Sequence, residues 1–190
     1  MDANHEPAAP TDVPTDALRE VWFRRIETVH QAAAGDSGLE CASLCTGRCC
    51  PQAMASRDPD YQVGHVAIML PFEFEYLVAR TGVASPAFQR APLELTEDVS
   101  IDVGFITTDS RCPFLTADFR CGIHDIRPLD CRSFPVIPVF GADGTLTFRF
   151  DNDCPSLRTL ATSHRESLMA AWRGILDYLP MTYRSLYNRL

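Results

Sequence analysis

Eight cysteines are the residues of this chain most able to do chemistry. They fall in two groups, Cys41-x3-Cys45-x3-Cys49-Cys50 and Cys112-x8-Cys121-x9-Cys131-x22-Cys154. Thiols packed in such numbers oxidise or pair unless a cation neutralises and occupies them. A tetrahedral Zn²⁺ takes four thiolates at about 2.3 Å, and an iron–sulfur cubane also takes four. Eight cysteines would fill two such sites, or one site with redox-active or structural thiols left over. Neither group contains the paired C-x2-C of a zinc ribbon, so the spacing points to metal without saying which. Four-residue spacing would put Cys41, Cys45 and Cys49 on one face of a helix. Gly47 and the Cys50-Pro51 pair oppose a continuous helix, so a tight loop is expected. Cys50, Cys112 and Cys154 each precede a proline, which pushes them to extended backbone and presents the thiol from a stiff turn.

Arg111, Arg120, Arg127 and Arg132 crowd the second group. Guanidinium donors beside thiolates would offset the excess negative charge of the centre; the alternative is a solvated basic face. All 17 basic residues are arginine, with no lysine anywhere. That excludes a Schiff-base lysine, a P-loop lysine and a lysine general base. With 25 acidic residues the formal net charge is −8, which argues against a surface that neutralises a run of phosphates. No glycine-rich dinucleotide loop, Ser-His-Asp set or H-E-x-x-H motif stands out, and the histidines at 5, 30, 65, 124 and 164 lack ligand spacing.

Three segments carry a resemblance: Leu44-Cys45-Thr46-Gly47-Arg48-Cys49-Cys50, Cys112-Pro113-Phe114-Leu115, and the run from Cys121-Gly122-Ile123-His124-Asp125 through Arg127-Pro128-Leu129-Asp130-Cys131-Arg132 to Pro135. Together they resemble the YkgJ-type cysteine-cluster proteins, which carry a zinc- or iron-chelating domain of the CxxCxxCC type. The same signature occurs in flagellin lysine N-methylases. The likeness spans about residues 40 to 155 and is most specific over Cys121 to Pro135. It implies Cys45, Cys49, Cys50, Cys112, Cys121 and Cys131 as metal ligands, with Cys41 and Cys154 as flanking family cysteines, and makes Arg127 and Arg132 the arginines that flank Cys131. The chain departs from the family in its three-residue spacers and in His124, which stands where tyrosine is common. That histidine is either a hydrogen-bonded structural residue, a donor to a ligand, or a substitute ligand.

The elements that must position these residues read as follows. Residues 1–14, broken by Pro7, Pro10 and Pro14, read as a disordered arm, and 15–190 as one metal-binding domain. Leu18, Val21, Trp22, Ile26 and Val29 predict an amphipathic helix from Thr15 or Asp16 to Gly35, with His30 off its stripe and partly exposed. Val66–Leu70 reads as a short strand. Pro71 opens a helix closed by Thr81-Gly82, which also carries Glu73 and Glu75 and on which Phe72, Phe74 and Tyr76 read as core and rim. Val99–Thr107 reads as a strand, and Val136–Phe140 with Leu146–Phe150 as a hairpin around Gly141-Ala142-Asp143-Gly144. Asp125 looks like the N-cap of one helical turn carrying Cys131. A helix over Ser156 to about Leu179 and another over Thr182–Leu190 complete the chain. The fold class is α+β: a small, irregular, metal-centred domain with N- and C-terminal helices and a short antiparallel hairpin.

The functional expectation is a cysteine-cluster metalloprotein holding an iron–sulfur cluster, 4Fe-4S in preference, with a redox, sensing or catalytic role. The adjacent pair Cys49-Cys50, the surplus of thiols over four and the nearby arginines favour iron. The alternatives are a zinc protein whose metal only fixes the fold, a methylase-like metal-dependent enzyme, and a periplasmic disulfide scaffold. The first residues show no basic region followed by an apolar one, and no run approaches a membrane span. A cytoplasmic location is therefore expected, with a protein or small-molecule partner and with neither nucleic acid nor membrane.

Overall fold

The computed structural model describes residues 15–34, 67–82, 89–106, 112, 114–118, 120–152 and 154–189. The 1–14 arm, the first cysteine group, His65 and Arg111 lie outside them. Within the described residues the architecture is α+β, with helices toward both termini and short antiparallel sheets. Helix α1 is Thr15–Ala32, and its stripe buries Trp22, Ile26 and Val29 as the periodicity predicts. His30 is buried too, which corrects the expectation of partial exposure. The reason is a partner 43 residues away in sequence, described below.

Strand β1 (Ala67–Ile68) leads through the Pro71-Phe72 turn into helix α2 (Glu73–Thr81). The helix thus starts two residues after the proline. Phe72 caps it in the left-handed region at φ 60°, a conformation costing a bulky residue about 1–3 kcal/mol. Gly82 ends the helix at φ 70° with its N–H on the Val78 carbonyl, as a left-handed C-cap should.

Strand β2 (Gln89–Glu94), which sequence pattern did not reveal, pairs antiparallel with β3 (Ser100–Ile106) from Gln89↔Phe105 to Glu94↔Ser100. The sheet order is β1-β3-β2, so β2 is an edge, the position where a strand can carry Pro92. Gly104 of β3 is required by close approach: a Cβ there would sit 2.8 Å from Met69 Sδ and 3.1 Å from the Phe74 ring.

A five-residue helix, α3 (Leu129–Ser133), leads into the hairpin of β4 (Val136–Phe140) and β5 (Leu146–Phe150), paired from Val136↔Phe150 to Phe140↔Leu146 as predicted. The expected long tail helix is divided: a 3₁₀ turn at Pro155–Arg158 precedes α4 (Thr162–Leu176). Helix α5 (Met181–Arg189) ends the described chain. The stripe of α1 packs against α4 and shares one core cluster with Leu168, Ala171, Trp172 and Ile175 of α4 and Tyr183 and Tyr187 of α5. Phe140 stands edge-on to Trp172 and Tyr187, with ring centroids 6.2 and 5.2 Å away. A second, smaller cluster joins Met69, Phe74 and Leu77 to Cys112, Phe114 and Leu115. No helix among the described residues is long and apolar enough to cross a membrane.

Candidate metal centre

The second cysteine group is built on backbone held at each step by hydrogen bonds. Cys112 is buried in the smaller apolar cluster, and its carbonyl accepts from Leu115 N–H at 3.1 Å. From there the chain turns back on itself, with Thr116 N–H on the Arg120 carbonyl at 2.9 Å and Gly122 N–H on the Phe114 carbonyl at 2.8 Å. This knot sets Cys121 directly across from Leu115. Arg120, expected near the centre or on a solvated face, takes the second place: it is exposed and pairs with Asp118 at 3.1 Å.

Between Cys121 and Cys131 the structure corrects one expectation. Asp125 does not cap the turn that carries Cys131; it lies inside a separate 3₁₀ turn, His124–Ile126. Arg127 then adopts ψ 150°, the extended state that Pro128 imposes on the residue before it. Only after that break does α3 begin and carry Cys131 and Arg132. The hairpin returns the chain to the same end: Asp151 N–H bonds the Pro135 carbonyl at 3.0 Å, and Cys154 N–H bonds the Asp151 carbonyl at 3.2 Å. Cys154 thus leaves β5 where the chain from Cys131 enters β4.

Helix α3 is too short to hold itself in place, and two buried carboxyl groups do so. Glu73, 0% exposed, accepts from Leu129 N–H on Oε1 at 2.9 Å and from Leu70 N–H on Oε2 at 2.8 Å. His30 Nε2 bonds the same Oε1 at 2.8 Å. Asp130, 1% exposed, accepts from Ile68 N–H at 3.0 Å and from the Tyr187 hydroxyl at 2.6 Å. Cys131 therefore sits between Asp130 and Arg132 on a segment tied to α1, β1, α2 and α5. Neither Glu73 nor Asp130 is marked for this role by the sequence pattern. Acidic residues on short amphipathic helices usually face solvent, and no periodic signal marks one that caps distant amides.

A cavity of about 460 Å³ opens beside this segment. Its described lining includes Ala33 and Ala34 at the end of α1, then His124, Asp125 and Arg127, then Arg132 and His164. The two histidines are 40 residues apart in sequence, so spacing could not connect them. Arg132 is 7% exposed; its Nη2 donates to the Asp125 carbonyl, while its Nε, like that of Arg127, has no hydrogen-bond partner among the described residues. Burial and then the neighbouring Arg127 lower the Arg132 pKa from its ordinary value. His124 is likewise held below the usual histidine range, by burial first and by Arg127 second. Its contact with the exposed Asp125 carboxyl is long, at 3.5 Å.

Among the described residues no three His, Cys, Asp or Glu side chains converge closely enough to hold a metal ion. Cys112 and Cys154 are buried and Cys121 and Cys131 half-buried, and the four do not by themselves form a metal-holding group. No curated protein and no solved structure matches the chain. A family model, CxxCxxCC, described as "Putative zinc- or iron-chelating domain", matches residues 40–155, from the residue before Cys41 to the residue after Cys154. That span is more than half of the chain and contains every cysteine in it, and the chain belongs to this family of zinc- or iron-chelating cysteine-cluster domains.

Proposed function

We propose that the protein holds an iron–sulfur cluster, 4Fe-4S in preference, through thiolates drawn from both cysteine groups, and uses it in a redox, sensing or catalytic role. The observation that carries this reading is the coincidence of the matched segment with all eight cysteines, twice the number that one tetrahedral ion takes. Cys45, Cys49, Cys50, Cys112, Cys121 and Cys131 are the proposed ligands, with Cys41 and Cys154 completing or flanking the set. The four on described backbone supply at most part of a shell by themselves, so the reading draws the remaining donors from the first group. When bound, the cluster would supply one-electron chemistry or a Lewis-acidic iron. The chain's own contribution is to hold Cys131 rigidly through Glu73 and Asp130. Arg127 and Arg132 add positive charge on either side of Cys131, where it offsets that of the thiolates.

Purification without oxygen, followed by iron, zinc and acid-labile sulfide analysis, tests this. A brown protein with charge-transfer absorption and matched iron and sulfide is the expected result. A colourless protein with stoichiometric zinc and no sulfide overturns it and makes the metal a structural one.

A further inference from the structure

The cavity carries two arginines on one wall, Arg127 and Arg132. Arg132 is more than nine-tenths buried and lines the cavity together with Arg127. Neither forms an ion pair among the described residues, and each leaves Nε without a hydrogen-bond partner. A buried guanidinium is costly unless all of its donors are met, and a second one beside it raises that cost. The chain as a whole is acidic, with a formal net charge of −8, so carboxylates to neutralise the pair were abundant in the composition. The one carboxylate on the cavity's described lining, Asp125, is fully exposed and contacts His124 at 3.5 Å. His124 and His164 enlarge the set of nitrogen donors on the same wall. The lining contains no described cysteine, and its volume, about 460 Å³, is that of a small-molecule site.

We infer that this cavity is a binding site for the oxyanion group, carboxylate or phosphate, of a small ligand, held by Arg127 and Arg132 with His124 and His164 as flanking donors. Planar guanidinium forks match both oxyanions through paired N–H···O bonds, which a lysine could not supply. The site stands on the cavity's own residues and does not depend on which metal the cysteines hold. It deepens the proposed function only in giving a metal centre an anionic ligand beside Cys131.

The test is isothermal titration of the metal-loaded full chain, purified without oxygen, with inorganic phosphate in one arm and acetate in the other, at constant ionic strength set with chloride. Saturable binding in at least one arm is expected, and the tighter arm identifies the oxyanion. Arg127→Gln relieves a like-charge contact and should fold; it should weaken binding about tenfold or more, the loss of one charge-assisted contact. His124→Gln, at a half-exposed position, supplies a second variant with a smaller loss. Metal content is measured on the same samples and anion binding is expressed per metal-loaded chain, so that a loss of metal and a loss of the anion site are read separately. Absence of saturable binding in both arms, or equal binding by wild type and both variants, overturns it and leaves the arginines as counter-charge to the thiolates alone.

Discussion

Replacing Glu73 by glutamine tests the claim that one buried carboxyl group holds the cysteine-bearing helix in place. Glutamine keeps the shape but has one acceptor oxygen where glutamate has two. If that oxygen stays at the Oε1 position it keeps Leu129 N–H and His30, and the new NH₂ faces Leu70 N–H; reversed, the NH₂ faces Leu129 N–H. Either way a fully buried amide loses its acceptor, at a cost of about 1–3 kcal/mol. For a urea m-value of about 2 kcal/mol per M, the midpoint should fall by about 1 M. The melting temperature should fall by roughly 2–4 °C per kcal/mol for a chain of this size. Alanine loses all three bonds and leaves a void, so about 3–5 kcal/mol is expected. The assay is urea unfolding of the metal-loaded protein followed by tryptophan fluorescence, since Trp22 and Trp172 are both buried in the larger core. A Glu73→Gln midpoint within the shift of an ordinary surface substitution, about 0.5 kcal/mol, would refute the reasoning.

Neighbouring Glu75 should behave in the opposite way. Its Oε2 has no hydrogen-bond partner among the described residues and burial raises its pKa above 4.5, so the folded state binds protons more tightly than the unfolded chain, and stability is lost as pH rises above that value. Glu75→Gln should therefore stabilise at pH 7, with a gain in melting temperature that disappears near pH 4 and below. Tyr187→Phe removes the bond to Asp130 and should cost about 1.5–3 kcal/mol, whereas Tyr183→Phe, whose hydroxyl has no partner, should be neutral or stabilising in the same urea melts. Burial pushes both phenols well above the ordinary tyrosine value of 10.0, so their contribution is intact below about pH 10 and lost as pH rises beyond it. Absorbance at about 295 nm should show phenolate from these two appearing only with unfolding. Arg184 donates to the carbonyls of Leu176 (2.7 Å), Leu179 (3.0 Å) and Gly144 (3.0 Å), and Arg184→Lys, which has no fork, should lower stability by about 1–3 kcal/mol in thermal melts.

The parts of this protein legible in its sequence are those governed by local pattern. The stripe of α1, the Gly82 stop and the β4–β5 hairpin all follow from spacing and turn residues, and the structure places them within a residue or two of expectation. Strand β2 was illegible because Pro92 and alternating exposure conceal an edge strand, whose pairing β3 supplies. His30 departs from its expected partial exposure because the buried Glu73 meets it across 43 residues. The cavity was half legible. Arg127 and Arg132 stood out through their closeness to Cys131, but His164 arrives from α4, and only the tertiary fold brings it there.

The buried carboxyl groups also decide how α3 opens. A five-residue helix alone would fray on the timescale of local fluctuations. Here the amides of Ile68, Leu70 and Leu129 are closed by side chains 0% or 1% exposed, so none can meet solvent until the carboxyl group that holds it is pulled out of the core. In hydrogen exchange these amides should fall with the slowest, globally opening set, although two of them lie at the edge of regular structure. The stretch bearing Cys131 and Arg132 is then a wall rather than a hinge. A ligand arriving there binds against a surface already ordered during folding, with little conformational freedom left to lose.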